Sequence, residues 1–354
     1  MPHPLAADLD DVLERTRELW SELRGRRIFI TGATGFFGCW FLETFAWANQ
    51  RLALNAGATI LTRNPDALKQ RLPHLADADF DVVVGDVRNF AFPSGEFSHV
   101  IHAAADSSAQ LNAAQPKLMF DTIVDGTRHC LEFAAAAHAT KFLFASSGAV
   151  YGKQPSDLSH IPEEFTGSPD PLDPASAYAE GKRAAELLCA IAAKSTGLEV
   201  KLARGFAFVG PYMKLDVHFA IGNFIHDHLN GRPICVRGDG TAVRSYMYAG
   251  DLMVWLWTIL FRGKSRRAYN VGSEEAISIA ELAREVARSG AGSSRMPVQI
   301  SGTPVAGALI ARYVPSTARA QREMGLLCTV PLRAAIERTL EWNRTGCAPE
   351  LQHR

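Results

Sequence analysis

Residues 27–48 read Arg27-Ile28-Phe29-Ile30-Thr31-Gly32-Ala33-Thr34-Gly35-Phe36-Phe37-Gly38 and continue Cys39-Trp40-Phe41-Leu42-Glu43-Thr44-Phe45-Ala46-Trp47-Ala48. A short apolar run enters three glycines spaced three apart, and a helical pattern follows to about Ala48. Glycines at 32, 35 and 38 allow a tight turn, close approach of backbone N–H groups to a pyrophosphate, and close packing of helix on strand. A glycine triplet taken alone also fits plain punctuation between strand and helix. Its place at the end of the first strand of a repeating strand–helix pattern favours a dinucleotide turn, with Gly32, Thr34, Gly35, Phe36, Phe37 and Gly38 as candidate contacts.

Outward from this stretch, Ile28–Ile30, Thr59–Leu61, Val82–Val84, His99–His102, Phe142–Phe144 and Val200–Leu202 are short apolar runs alternating with longer helical patterns. Strands without inside–outside alternation predict a parallel sheet covered on both faces. The expected fold class is α/β: a Rossmann-type doubly wound parallel sheet with a smaller C-terminal α/β substrate lobe. Residues 25–205 read as the dinucleotide-binding part carrying the catalytic residues. Residues 206–354 read as mainly a substrate lobe, some of whose elements return to the sheet. That second part has shorter elements set off by Gly and Pro, a helical run with Trp255 and Trp257, and helices near 277–289 and 331–343. Within residues 1–24, Leu9, Val12, Leu13, Leu19, Trp20 and Leu23 recur at helical spacing among charges, which predicts an amphipathic helix, either a docked arm or an oligomer contact. The basic run Arg24-Gly25-Arg26-Arg27 reads as a solvated entry to the first strand.

The chain has 354 residues, is 47% hydrophobic and 21% charged, and balances 37 Lys+Arg against 37 Asp+Glu, so it has the make-up of a packed globular protein without the positive field that nucleic acid attracts. The six cysteines form no C-x-x-C pair and no zinc spacing. The N-terminus carries acids where a leader peptide needs bases, and no run of about 18 apolar residues occurs. The expectation is a cytoplasmic protein with no metal and no membrane or nucleic-acid partner. His218, His226 and His228 lie near one another in sequence, but 226 and 228 do not share a helix face, so solvated histidines are expected there.

At the end of the second predicted strand, the position that carries an acid when a ribose 2′-hydroxyl is gripped is Thr62, followed by Arg63. Arg63 can meet a 2′-phosphate, which favours NADP(H), with NAD(H) as the alternative; a surface arginine opening a loop is the plain reading. Asp86 and Val87 follow the third strand where an adenine contact would lie, although Asp86 also suits a turn. Ala103, Ala104 and Ala105 end the fourth strand with side chains small enough for a cofactor to lie on backbone, and His102 reads as a satisfied core histidine.

Tyr178 and Lys182 are four apart and share a helix face. A phenol with an ordinary pKa near ~10 works as a base at neutral pH only where cations stabilise the phenolate, and Lys182 beside an oxidised nicotinamide would do so. Y-x-x-x-K is also common as an exposed helical pair. Ser147, in the strand and turn Phe142–Gly152, can hydrogen-bond an oxygen that alternates between alcohol and ketone, or can serve the turn alone.

The ordered set Thr31–Gly38, Gly85-Asp86, His102–Ala105, Ser146-Ser147 through Tyr151-Gly152, Tyr178/Lys182, Arg204 with Gly210-Pro211, Arg237–Arg244 and Tyr269-Asn270-Val271-Gly272 resembles the extended short-chain dehydrogenases/reductases, the NAD-dependent epimerase/dehydratase group acting on nucleotide sugars. The resemblance spans residues 26 to 345. It implies a catalytic triad of Ser147, Tyr178 and Lys182. It implies a nucleotide-diphosphate sugar substrate, with Asn223 at the nucleotide and Arg244 at the diphosphate. It also implies a homodimer through the Tyr178 helix and the helix around 117–138. Two positions depart from the pattern: Ala207 replaces the asparagine of Arg-x-Phe-Asn, and Ile123 replaces an asparagine on the cofactor side.

In the resembled family, 4,6-dehydratases carry an Asp-Glu pair after the catalytic Ser or Thr, and a decarboxylase type keeps a Glu there; here the positions hold Gly148 and Ala149. What remains is hydride and proton transfer at one carbinol carbon. The expected activity is an NAD(P)-dependent oxidoreductase, with net reduction of a keto-sugar favoured by Arg63 and 4-epimerisation with retained NAD as the alternative. A non-catalytic dinucleotide sensor on the same fold is a further alternative, against which the presence of Tyr178 and Lys182 weighs.

Overall fold

The computed structural model describes residues 3–75, 80–104, 109–215, 217, 219–290, 296–305 and 307–345. It comprises two compact units, each built from separate stretches of chain: residues 1–150, 169–205 and 253–269 form the first, and 151–168, 206–252 and 270–354 the second. Residues 151–168 thus group with the second unit, and 253–269, from beyond residue 205, group with the first.

The first unit holds β1 (Arg27–Thr31), β2 (Gly57–Thr62), β3 (Phe80–Val84), β4 (His99–His102), β5 (Lys141–Ser147) and β6 (Glu199–Gly205) in one sheet. The order is β6-β5-β4-β1-β2-β3, with the strand Arg267–Val271 beyond β6 as the seventh. The pairings of β1 with β2 and β4, β2 with β3, β4 with β5 and β5 with β6 are all parallel. All six expected runs are strands; the seventh has no comparable uninterrupted apolar run. Around them lie α1 (Ala6–Thr16), α2 (Phe36–Leu52), α3 (Pro65–Arg71), α4 (Ala109–Ala114), α5 (Pro116–Ala136) and α6 (Ala177–Thr196). The direction of winding reverses between β1 and β4, the place where open α/β sheets bind ligands at strand C-termini.

Central strands are buried on both faces, as Ile28, Phe29 and Ile30 show. Phe29 packs against Phe90, Phe97 and Phe133 with ring centroids 5.3, 5.8 and 4.4 Å away, and burying each such ring contributes about 1.5–3 kcal/mol. Strand β3 departs from this pattern, leaving Val82 43% and Val84 64% exposed, because only β2 pairs with it.

The N-terminal helix is shorter than its apolar spacing predicts: α1 ends at Thr16 and a 3₁₀ turn, Arg17–Leu23, continues it. The Thr16 hydroxyl donates to Val12 O at 2.5 Å and accepts from Trp20 Nε1 at 2.9 Å, which marks the junction. Trp20 then packs on Trp257, centroids 4.5 Å apart, so the segment is a docked arm. Its Glu22 accepts from Lys141 at 2.6 Å and His99 at 2.9 Å. Burial would raise this carboxyl, but those two hydrogen bonds outweigh it and hold Glu22 at about 2. The basic run also has partners. Arg24 caps the C-terminus of α2 through Ala53 O at 2.7 Å, and Arg27 lies 4.3 Å over Phe97.

In the second unit, helices Ala220–Leu229, Ile279–Arg288 and Leu332–Arg344 enclose a core that includes Ile221, Phe224, Leu282, Val286, Ile336 and Leu340. Strand Val243–Arg244 lies between Ile277–Ser278, antiparallel, and Arg312–Tyr313, parallel. Asn270 is fully buried and fixes the stretch 151–168: its Oδ1 accepts from Tyr151 Oη at 2.7 Å, its Nδ2 donates to Ile161 O at 2.8 Å, and its N–H donates to Glu163 at 2.9 Å. Among the described residues no helix is long and apolar enough to cross a membrane.

Candidate active site

The turn after β1 is shaped as its glycines require. Gly32 has φ +76°, and a Cβ on it would lie 2.5 Å from Ala103 O and 2.7 Å from Ala104 N. A Cβ on Gly38 would overlap the Gly32 carbonyl, so both glycines are demanded by close backbone approach. Gly35 precedes α2 in extended conformation, and no acid or side-chain cap occupies the first turn of that helix. Phe36 and Phe37 open the helix, and a helix N-terminus with no acid in its first turn is the arrangement that takes a phosphate. The residues present therefore fit a dinucleotide diphosphate.

On the β4 side, Ala103 N–H donates to Thr31 O at 3.3 Å and Ala104 N–H to Thr31 Oγ1 at 3.2 Å. Ala105 and His218 lie outside the described residues. His102 is buried between Thr31 Oγ1 at 2.8 Å and Thr127 Oγ1 at 3.1 Å. Thr127 donates to Ile123 O, so it accepts from His102 Nε2–H, and Nδ1 accepts from Thr31. Burial, helped by the Lys182 charge, pushes His102 down to about 3, so it is a neutral, satisfied core histidine.

At the C-terminal end of β2 Thr62 is buried and bonds Asn64, which caps α3, while Arg63 is exposed. Arg88 grips Asp86 through Nε at 2.9 Å and Nη2 at 3.0 Å, and its backbone N–H adds a third bond at 2.9 Å. These bonds, foremost the Arg88 side chain, hold the Asp86 carboxyl below its usual range, and the more distant Arg63 acts in the same direction. Asp86 thus serves its turn whatever else it meets. Val87 is buried where α5 comes close, and a Cβ on Gly126 would reach its Cγ1 at 2.8 Å.

Strand β5 and helix α6 bring Ser147, Tyr178 and Lys182 into one region. Ser147 ends β5 with 8% of its surface exposed, and its Oγ accepts from Ala149 N–H at 3.1 Å. Tyr178 is half-buried; desolvation raises its phenol, and a hydrogen bond with Ser147 opposes the rise. Lys182 Nζ donates to Ala145 O at 2.6 Å, and lies 4.7 Å from the Phe144 ring centroid and 5.9 Å from that of Tyr178. Burial lowers Lys182 to about 8, with the Glu186 charge acting in the opposite direction. Ser147 thus stands near the phenol, and Lys182 faces the Tyr178 ring. Sequence reading passed over Glu186, although its place four residues after Lys182 on the same face was the available signal.

Asn223 and Arg244 belong to the second unit. Asn223 is half-buried in the first turn of Ala220–Leu229, and Arg244 donates to Val243 O at 2.8 Å and Ala311 O at 3.3 Å. His226 Nδ1 accepts from Arg232 at 3.0 Å, and His228 Nε2 from Arg344 at 3.2 Å, so the two imidazoles take separate partners.

Among the described residues His3, Glu43 and His74 also converge. His74 Nε2 lies 2.8 Å and His3 Nε2 3.2 Å from the buried Glu43 carboxylate. His3 Nδ1 accepts from Leu5 N–H at 3.1 Å, which leaves the proton on Nε2 and removes the lone pair that a metal would need. His74 is hydrogen-bonded to Glu43 and His3 lies beside the same carboxylate, so the trio gathers the N-terminal arm onto α2.

Residues 28–272 match the NAD dependent epimerase/dehydratase family. The chain is 30% identical over 261 residues to UDP-glucuronic acid decarboxylase 6 of Arabidopsis thaliana, covering 73% of each. Among solved structures it is similar to a UDP-N-acetylglucosamine 4-epimerase from Methanobrevibacter ruminantium M1, with TM-score 0.76, 19% identity and coverage of 91% of this chain and 99% of the other. It is also similar to a dTDP-glucose 4,6-dehydratase from Streptomyces venezuelae solved with NAD bound, with TM-score 0.72, 23% identity and coverage of 90% and 97%. At these identities the two structures establish the shared fold.

Proposed function

Because this chain belongs to the NAD dependent epimerase/dehydratase family, we propose that it oxidises and re-reduces one carbinol carbon of a UDP-sugar, with NAD as cofactor and 4-epimerisation through a transient ketone as the net reaction. The observation that carries this reading is the β5 end itself: Ser147 ends the strand near the Tyr178 phenol, Lys182 Nζ lies 5.9 Å from the Tyr178 ring centroid, and the next two residues are Gly148 and Ala149. Chemistry that removes water needs a further acid and base, and these two positions carry neither.

NAD, when bound, supplies hydride exchange at that carbon. Tyr178 moves the hydroxyl proton, Ser147 holds the same oxygen in both its alcohol and ketone states, and Lys182 supplies the positive charge that favours the phenolate. Gly32, Thr34, Gly35, Phe36, Phe37, Gly38, Asp86, Val87, Ala103 and Ala104 form the proposed cofactor surface. Asn223 and Arg244 are the proposed contacts to the nucleotide and diphosphate, the latter suited to a guanidinium. A homodimer through α5 and α6 accompanies the reading, since Phe120 is 36%, Leu187 62% and Ile191 55% exposed on those helices. The scattered cysteines support the cytoplasm as its place.

Arg63 supports a second reading, an NADPH-dependent keto-sugar reductase, because it stands exposed directly after β2. The deciding experiment is mass spectrometry of cofactor released on denaturation, followed by incubation with UDP-sugars and chromatographic separation of epimers. Released NAD and epimer interconversion without net absorbance change at 340 nm are expected. Stoichiometric NADPH consumption with a UDP-4-keto-sugar would establish the reductase instead, and no turnover of any UDP-sugar would end the reading.

A further inference from the structure

Helix α6 carries more than the tyrosine and lysine on its inner face. Tyr178, Lys182, Glu186 and Cys189 follow at intervals of four, four and three, which aligns them in one stripe. Glu186 is tied to both strands beneath it. Its Oε1 accepts from Ser146 Oγ at 2.6 Å and Arg204 Nε at 2.9 Å, and its Oε2 accepts from Arg204 Nη2 at 2.6 Å. The parallel register sets Ser146 beside Arg204, so both reach the same carboxylate from adjacent strands. The Arg204 and Glu186 side chains are only 16% and 11% exposed, which makes this a largely desolvated, bidentate pair.

We propose that Glu186 is a positioning residue: held by Ser146 and Arg204, it keeps Lys182 protonated beneath Tyr178 at neutral pH. The inference rests on the functional reading above and deepens it. Burial acts against the Lys182 charge and has lowered it to about 8, and the Glu186 carboxylate opposes that fall. The groups facing this ammonium from the surrounding elements are few. His102 on β4 is neutral, Cys189 on α6 is a buried thiol raised by desolvation, and Arg204 on β6 is paired with Glu186. The Ala145 carbonyl and the Phe144 ring complete the shell without a formal charge. Glu186 is therefore the one carboxylate among these neighbours, and its loss removes the main influence opposing burial at the lysine.

The test follows the Lys182 ¹³Cε signal through a pH titration of lysine-labelled full-length protein, assigned by its absence in Lys182→Met. In the parent chain the midpoint is expected near 8. In Glu186→Gln it falls by about one unit or more, which halves the protonated fraction at pH 7 for one unit and lowers it about tenfold for two. Turnover at pH 7 falls with it and recovers toward pH 6, a profile that a purely structural defect would not produce. Ser146→Ala, which keeps the carboxylate, leaves the midpoint in place. Should Glu186→Gln fold poorly because it strands Arg204, the double change Glu186→Gln with Arg204→Met removes both charges and must still lower the midpoint, by less than the single change because a like charge is lost as well. A midpoint within about 0.3 units of the parent in either folded variant overturns the proposal. The readout needs no substrate, so the failure of UDP-sugar turnover would refute the functional reading and leave this result standing.

Discussion

Replacing Gly32 by Ala tests the geometry on which the whole cofactor reading depends. At φ +76° an L-residue carries a left-handed strain of roughly 1–2 kcal/mol. The new Cβ would also lie 2.5, 2.6 and 2.7 Å from Ala103 O, Ala103 C and Ala104 N. All three are backbone atoms at the end of a buried parallel strand, so no flexible side chain can yield, and such overpacking typically costs about 1–3 kcal/mol. The sum is about 2–5 kcal/mol, a large share of the ~5–15 kcal/mol that keeps a domain folded. Gly25 is the matched control, because its φ is +65° and nothing lies within 4 Å of its Cβ position, so Gly25→Ala should cost only the strain. Urea unfolding followed by circular dichroism gives both values, and calorimetric titration with NAD gives the second consequence. β1 and β4 must part to admit the methyl group, which moves Ala103 and Ala104 away from the turn and weakens NAD binding at least tenfold in Gly32→Ala. Equal stability costs for the two variants, together with unchanged NAD affinity, would refute the close-approach argument.

Tyr178→Phe should lower turnover by about 10²–10⁴-fold, the range of a lost proton-transfer group, while NAD affinity measured by titration stays within about twofold. The Glu22 carboxyl, held at about 2 in the folded chain against 4.5 ordinarily, contributes stability that is fully present above about pH 4.5 and is lost as pH falls toward 2. Its side chain is 37% exposed, so screening limits the effect, and Glu22→Gln should cost about 1 kcal/mol at pH 7. Thermal unfolding should show that gap closing near pH 2–3; a gap independent of pH would count against the ion pair. Leu187→Glu with Ile191→Glu should convert a dimer to a monomer in light scattering, and an unchanged mass would remove α5 and α6 as the interface.

The strand runs and the glycine turn were legible because their information is local. A parallel strand buried on both faces reads as an unbroken apolar run, and the turn demands glycine through backbone conformation. The limits show at β3, whose Val82 and Val84 look like core residues in sequence yet face outward at a sheet edge. A run of apolar residues does not state how many neighbours its strand will have. The arginines at 24–27 show the same limit from the polar side. Their charge is visible in sequence, but whether each meets water, a helix end or a ring depends on chain elsewhere, as Arg24 on Ala53 O and Arg27 on Phe97 show.

The catalytic face divides along the same line. The four-residue spacing of Tyr178 and Lys182 determines that they share one side of a helix, because helix geometry fixes which neighbours align within a turn or two. Which other groups stand opposite them is decided by strand order and register. Ser146 and Arg204 are 58 residues apart in numbering (204 − 146), and only the β5–β6 pairing sets them together under Glu186. Likewise residues 3, 43 and 74 come together only once the arm docks on α2. Composition and periodicity thus determined the class of fold, the glycine turn and the tyrosine–lysine pair. Tertiary structure alone decided the charged surroundings of that pair, since contacts between segments far apart in the chain depend on how crossover connections return each strand to the sheet.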